Sequence, residues 1–177
     1  MSVNPNTGIK GMDIVLANLN REIMAMENRT LAGLIKAAAL IRDETETGDL
    51  LTPVDLGNLR ASWFVVTATS IPVGQGVSNF KGPKAGEIAA NHSSTLAEAQ
   101  GFVAANTPKK GKFIIIGYTV NYAMYVHENL GMHDPANPYW KDRKWREGSG
   151  PKWFEAAIKK KASRILEIIR DNAKIGG

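Results

Sequence analysis

From Met12 to Thr47 the apolar residues Leu16, Leu19, Ile23, Met26, Leu34, Ala38 and Ile41 recur mostly three and four apart, and no proline interrupts them. That spacing places them along one side of a helix. Some 36 residues at ~1.5 Å each make a rod of roughly 54 Å, more than the body of a domain this size needs, so part of it is expected to project or to pack on a neighbour. Gly33 is expected to mark a close approach or a slight bend, and Gly48 the helix stop. A coiled coil is disfavoured, because the spacing shifts near Thr30 and few heptads persist.

The period changes at the corner Thr52 to Trp63. Pro53 blocks continuation of the helix, Asp55 reads as a cap or Asx-turn residue, and Gly57 permits backbone angles that a side chain forbids. Leu56 and Leu59, three apart, are expected to face inward together, leaving Arg60 to reach the Asp55 carboxylate or a partner. From Ser62 the chain turns aromatic and β-branched, which predicts a strand over 62–70. Residues 71–110, diluted by glycine and proline, read as a loop-rich connection with one short helix, opened by a Thr95 to Glu98 capping box and ending near Ala105. The β-branched run 112–120 predicts a central strand buried on both faces. Tyr122, Tyr125 and Val126 then predict a short helix, residues 130–150 a second loop-rich segment, and Pro151 the first position of a last helix whose stripe is Phe154, Ile158, Ile165, Leu166 and Ile169. The fold class is α+β: a long N-terminal helix, a small, mainly antiparallel sheet, and a C-terminal helix packed on the sheet.

The chain has 177 residues, 44% hydrophobic and 22% charged, which suits a single domain over 12–177 preceded by a flexible arm, residues 1–11. No stretch approaches the ~18 apolar residues of a membrane span, and residues 1–10 lack the apolar core of a secretory signal, so no membrane partner is expected. The absence of cysteine removes disulfides, thiolate zinc sites and a cysteine nucleophile together.

Three segments carry a family resemblance. The corner TPVDLGNLRASW, with Pro53, Asp55, Gly57, Leu59, Arg60 and Trp63, closely resembles the TPVDTG-x-L-R-x-S-W signature of the HK97 gp10-like proteins, neck or tail-completion components of tailed phages; Leu56 stands where that family usually has Thr. The segment NYAMYVHE, with Tyr122, Tyr125, His127 and Glu128, is similar to its second signature. Gly150 to Ala157 resembles its third, with Trp153 and Phe154 in the Phe-Leu positions. The three occur in family order and span roughly residues 12 to 175. The resemblance implies a structural protein of the virion neck or tail, present in the host cytoplasm during assembly. It also implies a hexameric ring of this chain around the DNA channel, with adjacent head-connector and tail-terminator or tail-tube proteins as partners and non-specific contact with channel DNA as a further possibility. It implies no cofactor.

Candidate chemistry is sparse. His127, Glu128, His133 and Asp134 are ligand types that suit zinc or manganese. His127 and Glu128 are adjacent, however, and there is no histidine at i+4, so a capping and hydrogen-bonding pair is the expected role and no metal site is assigned. His92 is expected to be solvated. Ser62, Ser93 and Ser94 lack the elbow of a hydrolase nucleophile, and Gly82–Gly86 lacks phosphate-loop spacing, so no catalytic residue is assigned. Charge is more informative. Residues 141–164 hold nine Lys or Arg against three acids, net +6, so the overall +5 comes from this one block, interleaved with Trp145 and Trp153 and preceded by Trp140. Lys159 to Lys161 read as a solvated helix face. Trp140, Arg143, Trp145 and Arg146, with Trp153 and Phe154, read as a protein interface. A basic nucleic-acid-binding module is the alternative, and a metal-dependent hydrolase a more distant one.

Overall fold

The computed structural model describes residues 12–75, 79–131 and 146–174. The arm 1–11, His133, Asp134, Trp140, Arg143 and Trp145 lie outside these. Helix α1 runs Met12–Thr47, and the short α2 runs Asn58–Ala61; β1 (Trp63–Val66), α3 (Ala85–Lys110), β2 (Ile115–Tyr118), α4 (Ala123–Glu128) and α5 (Trp153–Ala173) follow. The architecture is α+β, as the periodicity predicts.

The sheet is a two-stranded antiparallel pair in which Trp63 faces Tyr118 and Val66 faces Ile115. A lone bridge joins Val65 to Val73. Side chains alternate across this pair. Trp63, Val65, Ile116 and Tyr118 meet Ala38, Ile41, Phe154 and Ala157 on the side of α1 and α5, whereas Phe64, Val66 and Ile115 meet Leu96 and Val103 of α3 on the other. The sheet therefore lies between two helical layers. Its fully buried strand is β1, and the β-branched β2, expected to be central, is the half-buried edge, because the Val73 bridge flanks β1 and not β2. Strand β1 also stops short of Ser70. Thr67 Oγ1 accepts from Ser70 N at 2.9 Å, and Thr67 N donates to Ser70 O, closing a turn that ends the ladder.

Helix α3 is the largest departure from the expected elements. It spans 26 residues, takes up residues 85–110 of the stretch read as a connection, and places Thr95 in its interior, where Glu98 accepts from Ser94. A methyl group at Gly86 or Gly101 would touch nothing, so each glycine costs the helix only its ~1 kcal/mol propensity. Alanines at 85, 89, 90, 97, 99, 104 and 105, with Leu96 and Val103 docked on the sheet, offset that cost. Pro108 falls in the last turn before Gly111, so the bond it removes lies at the very end of the helix.

Helix α5 runs antiparallel to α1, since Lys160 and Lys161 meet Glu44 while Ile169 and Asn172 meet Gly33. Its first turns reach the sheet through Phe154 and Ala157, and Ile165 packs on the same cluster. This rotates the expected stripe: Trp153 and Ala157 are buried, Ile165 is partly buried, and Leu166 is 68% exposed. Pro151 sits two residues before the helix, and the residue preceding the first turn is Lys152 at φ 62°. A Cβ on Gly33 would lie 3.1 Å from both Asn172 Cβ and Ile169 Cα, so this glycine marks a close helix approach.

Gly57 has φ 86° and ψ −1° and leads into α2. A Cβ there would touch nothing, so Gly57→Val is expected to cost about 1–3 kcal/mol through backbone strain alone, with Gly57→Asn much milder. Urea titration of both variants checks this; equal stability of all three proteins would show that the corner relaxes out of the left-handed region.

Candidate functional site

The three signature segments meet in one place. Thr52 N donates to Thr45 O at 2.8 Å and Leu51 N to Gly148 O at 2.9 Å, which lays the corner across the end of α1. Leu59, Val120, Val126 and Trp153 then form one buried cluster that draws on α2, the end of the β2 segment, α4 and α5. Tyr118 lies beside it. Its ring packs edge-on against Trp63 (5.3 Å), Trp153 (5.9 Å) and Phe154 (6.0 Å), and its hydroxyl receives the Trp153 indole N–H at 3.3 Å. Backbone bonding adds a latch, with Lys152 N donating to His127 O at 2.8 Å.

Glu46, near the end of α1, collects the arginines around this knot. Arg42 Nη1 lies 2.8 Å from one oxygen, Arg60 pairs with the other, and Arg146 approaches to 3.5 Å while donating to the Glu46 carbonyl at 2.7 Å. Arg60, expected to reach the Asp55 carboxylate or a partner, pairs with Glu46 of α1. Arg42 also donates to Arg60 O and lies 5.6 Å from the Trp63 ring. Neither Arg42, Glu46 nor Tyr118 stood out in the sequence, although Arg42 and Glu46 carry the i,i+4 charge spacing of a helix pair.

Other placements differ from expectation. Leu56 is half exposed, and only Leu59 turns inward, because α2 is a single turn that cannot bury both. His92 is 3% exposed rather than solvated: its Nδ1 lies 2.6 Å from Thr119 Oγ1 and its Nε2 2.7 Å from Gly74 O, tying α3 to both sides of the sheet. Since a carbonyl only accepts, Nε2 carries a hydrogen. Trp153 is 1% exposed and so is not available to a second molecule, whereas Phe154 packs on the same cluster but is only partly buried. His127 Nδ1 contacts Glu128 Oε1 at 2.7 Å, and Lys152 takes the other Glu128 oxygen. Lys152 first, then His127, hold the Glu128 carboxyl below its usual range, and Glu128 raises Lys152 in return. No group of three potential metal ligands occurs among the described residues.

The described part of the basic block is ion-paired. Each of its six described cations has a carboxylate within 4 Å: Arg146 with Glu46, Lys152 with Glu128, Lys159 with Glu155, Lys160 with Glu44 and Asp49, Lys161 with Glu44, and Arg164 with Glu167. Lys160 and Lys161 are therefore not simply a solvated face; packing on α1 sets them on either side of the buried Glu44, at 2.8 and 3.0 Å. Lys160 chiefly, with Lys161, lowers the Glu44 pKa against the opposing effect of burial. A carboxyl held lower in the folded chain than in the unfolded one adds stability above its unfolded pKa, and that stability is lost as pH falls through the folded value. Glu44→Gln is expected to cost most near neutrality and to converge with the wild type in acid. Urea titrations from about pH 7 to about pH 2 check this, and parallel curves would show that Glu44 is uncoupled from its lysines.

Beside the knot lies an open apolar groove of about 560 Å³, lined by Pro53, Leu56 and Leu59 from the corner, Ile88 from α3, and Tyr122 and Tyr125 from the α4 segment. Lys81 and Lys84 also line it. The Asn58 side chain holds the loop at Lys81 through both its amide nitrogen (2.9 Å to Lys81 O) and its oxygen (2.8 Å from Lys81 N). Compared with known proteins, the chain matches no family model, no curated protein and no solved structure.

Proposed function

We propose that this chain is a structural subunit of a tailed-phage or prophage neck, a head–tail joining or tail-completion protein that acts as a ring of identical copies and has no turnover of its own. The observation that carries this reading over its nucleic-acid rival is the pairing of all six described cations of the basic block with carboxylates of the same chain. A phosphate backbone would have to compete with these carboxylates for the same cations, most strongly at the buried Glu44. The three resembling segments support the same reading, since residues as far apart as Leu59 and Trp153 serve one packed apolar cluster. Trp140, Arg143 and Trp145, which lie outside the described residues, are assigned to contacts with an adjacent protein.

Light scattering and negative-stain imaging of the full chain test this. Closed rings and weak retention of duplex DNA at moderate salt are expected; a monomer that binds DNA with a steep salt dependence would overturn the reading. The double change Trp140→Ala and Trp145→Ala should leave circular dichroism unchanged and weaken assembly, each anchor contributing on the order of 2 kcal/mol per contact. Unimpaired assembly with lost DNA binding would move these residues to the rival function.

A further inference from the structure

Helix α1 buries an apolar face only along its second half. Ala37, Ala38 and Ile41 are buried against α5 and the sheet, but α5 ends at Ala173, close to where Asn172 meets Gly33. Before that level the face continues. At about 100° per residue, Leu16 and Ile41 stand about 20° apart around the axis, and Val15, Leu16, Leu19, Ile23 and Met26 fall within a stripe about 100° wide. Residues 14–24 are nevertheless all exposed, Val15 at 60% and Leu19 at 54%. Five aliphatic side chains on a bare helix, continuous with a face that is buried elsewhere, mark a surface covered by something else.

We propose that the cover is the groove of a second copy: the first half of α1 docks its stripe between Leu56, Tyr122 and Tyr125 of the neighbouring chain. The groove is built on the corner that follows Thr47, whereas the stripe occupies the opposite end of the same unbroken 36-residue helix. One chain cannot bring the two together, because α1 contains no break at which to fold back. Between copies they meet head to tail, which buries both apolar surfaces in one contact. Pairing of α1 with α1 would leave every groove open. Charge agrees with this occupant. Glu22 borders the stripe around the helix, and the described groove lining carries Lys81 and Lys84 against one acid, Asp55. A head-to-tail contact either closes into a ring or continues as a filament, so this inference supplies the subunit contact for the ring proposed above and is separable from it.

The chain has no cysteine, which permits a direct test. Leu19→Cys and Tyr125→Cys are purified separately, mixed and oxidised, with Ala104→Cys on the exposed side of α3 as a collision control. A docked pair holds its thiols at an effective concentration in the millimolar range, so at micromolar protein the mixed Leu19→Cys/Tyr125→Cys disulfide should exceed the control by about tenfold or more. Leu19→Glu, at a position exposed within the chain, should keep the wild-type helix content and melting temperature while losing self-association. Dominant Leu19→Cys self-coupling, mixed coupling at the control level, or undiminished association of Leu19→Glu would each overturn the docking. Rings that form without mixed coupling would sink the docking and leave the neck reading intact; mixed coupling confined to open filaments would support the docking and count against the ring.

Discussion

Trp153→Ala is expected to destabilise the chain by about 3–5 kcal/mol, the range for removing a buried Trp or Phe side chain. The indole is 1% exposed and packs edge-on against Tyr118 and, at 4.9 Å, against His127, while its N–H is held by the Tyr118 hydroxyl. The cavity left behind would border all three signature segments, and collapse is opposed because α4 and α5 are latched by backbone bonding between His127 and Lys152. For a domain of this size each 1 kcal/mol shifts the melting temperature by roughly 2–4 °C, so a fall of about 10 °C is expected. Trp153→Phe should retain the ring packing and lose mainly the hydrogen bond. Both effects should be independent of protein concentration, as befits a residue buried within one chain. A concentration-dependent loss in Trp153→Ala would mean that the indole supports association instead.

Glu46→Ala should cost about 2–3 kcal/mol, below the 3–5 of a fully buried ion pair because its arginines are partly solvated. Their side chains are 25% (Arg42), 41% (Arg60) and 32% (Arg146) exposed, against 13% for Glu46. Removing the carboxylate leaves three guanidinium groups close together with no counter-charge between them. Glu46→Gln keeps the shape and should show most of the loss, which identifies charge as the cause. Adding Arg60→Gln to Glu46→Gln should restore part of the stability, since it lowers the remaining repulsion; urea titration of the single and double variants measures that coupling. Additive costs would show that solvent screens the cluster.

What could be read from the residues was whatever a few neighbours settle among themselves. The three-and-four spacing of α1 between Met12 and the Gly48 stop, the Pro53 to Gly57 corner, the β-branched runs and the short helix after Asn121 each depend on sterics or periodicity within a turn or two. Those elements appear within the predicted stretches, although the strands are shorter than the runs 62–70 and 112–120 that predict them. Tertiary structure decided what depends on distant partners. α3 extends ten residues upstream of Thr95, where Ile88 packs on the Leu59 cluster and His92 is held from outside the helix. His92 is buried because Gly74 and Thr119 come to it from two other segments. Trp153 is core and not interface for the same kind of reason, since its surroundings are Tyr118 and His127, up to 35 residues away in sequence. The basic block reads as free charge until α5 lies along α1 and brings Lys160 and Lys161 to Glu44, more than 100 residues earlier in the chain. Helix period assigns an apolar stripe to the whole of α1, but only the length of α5 determines which half that stripe buries, because burial is a property of the partner and not of the helix that carries the pattern.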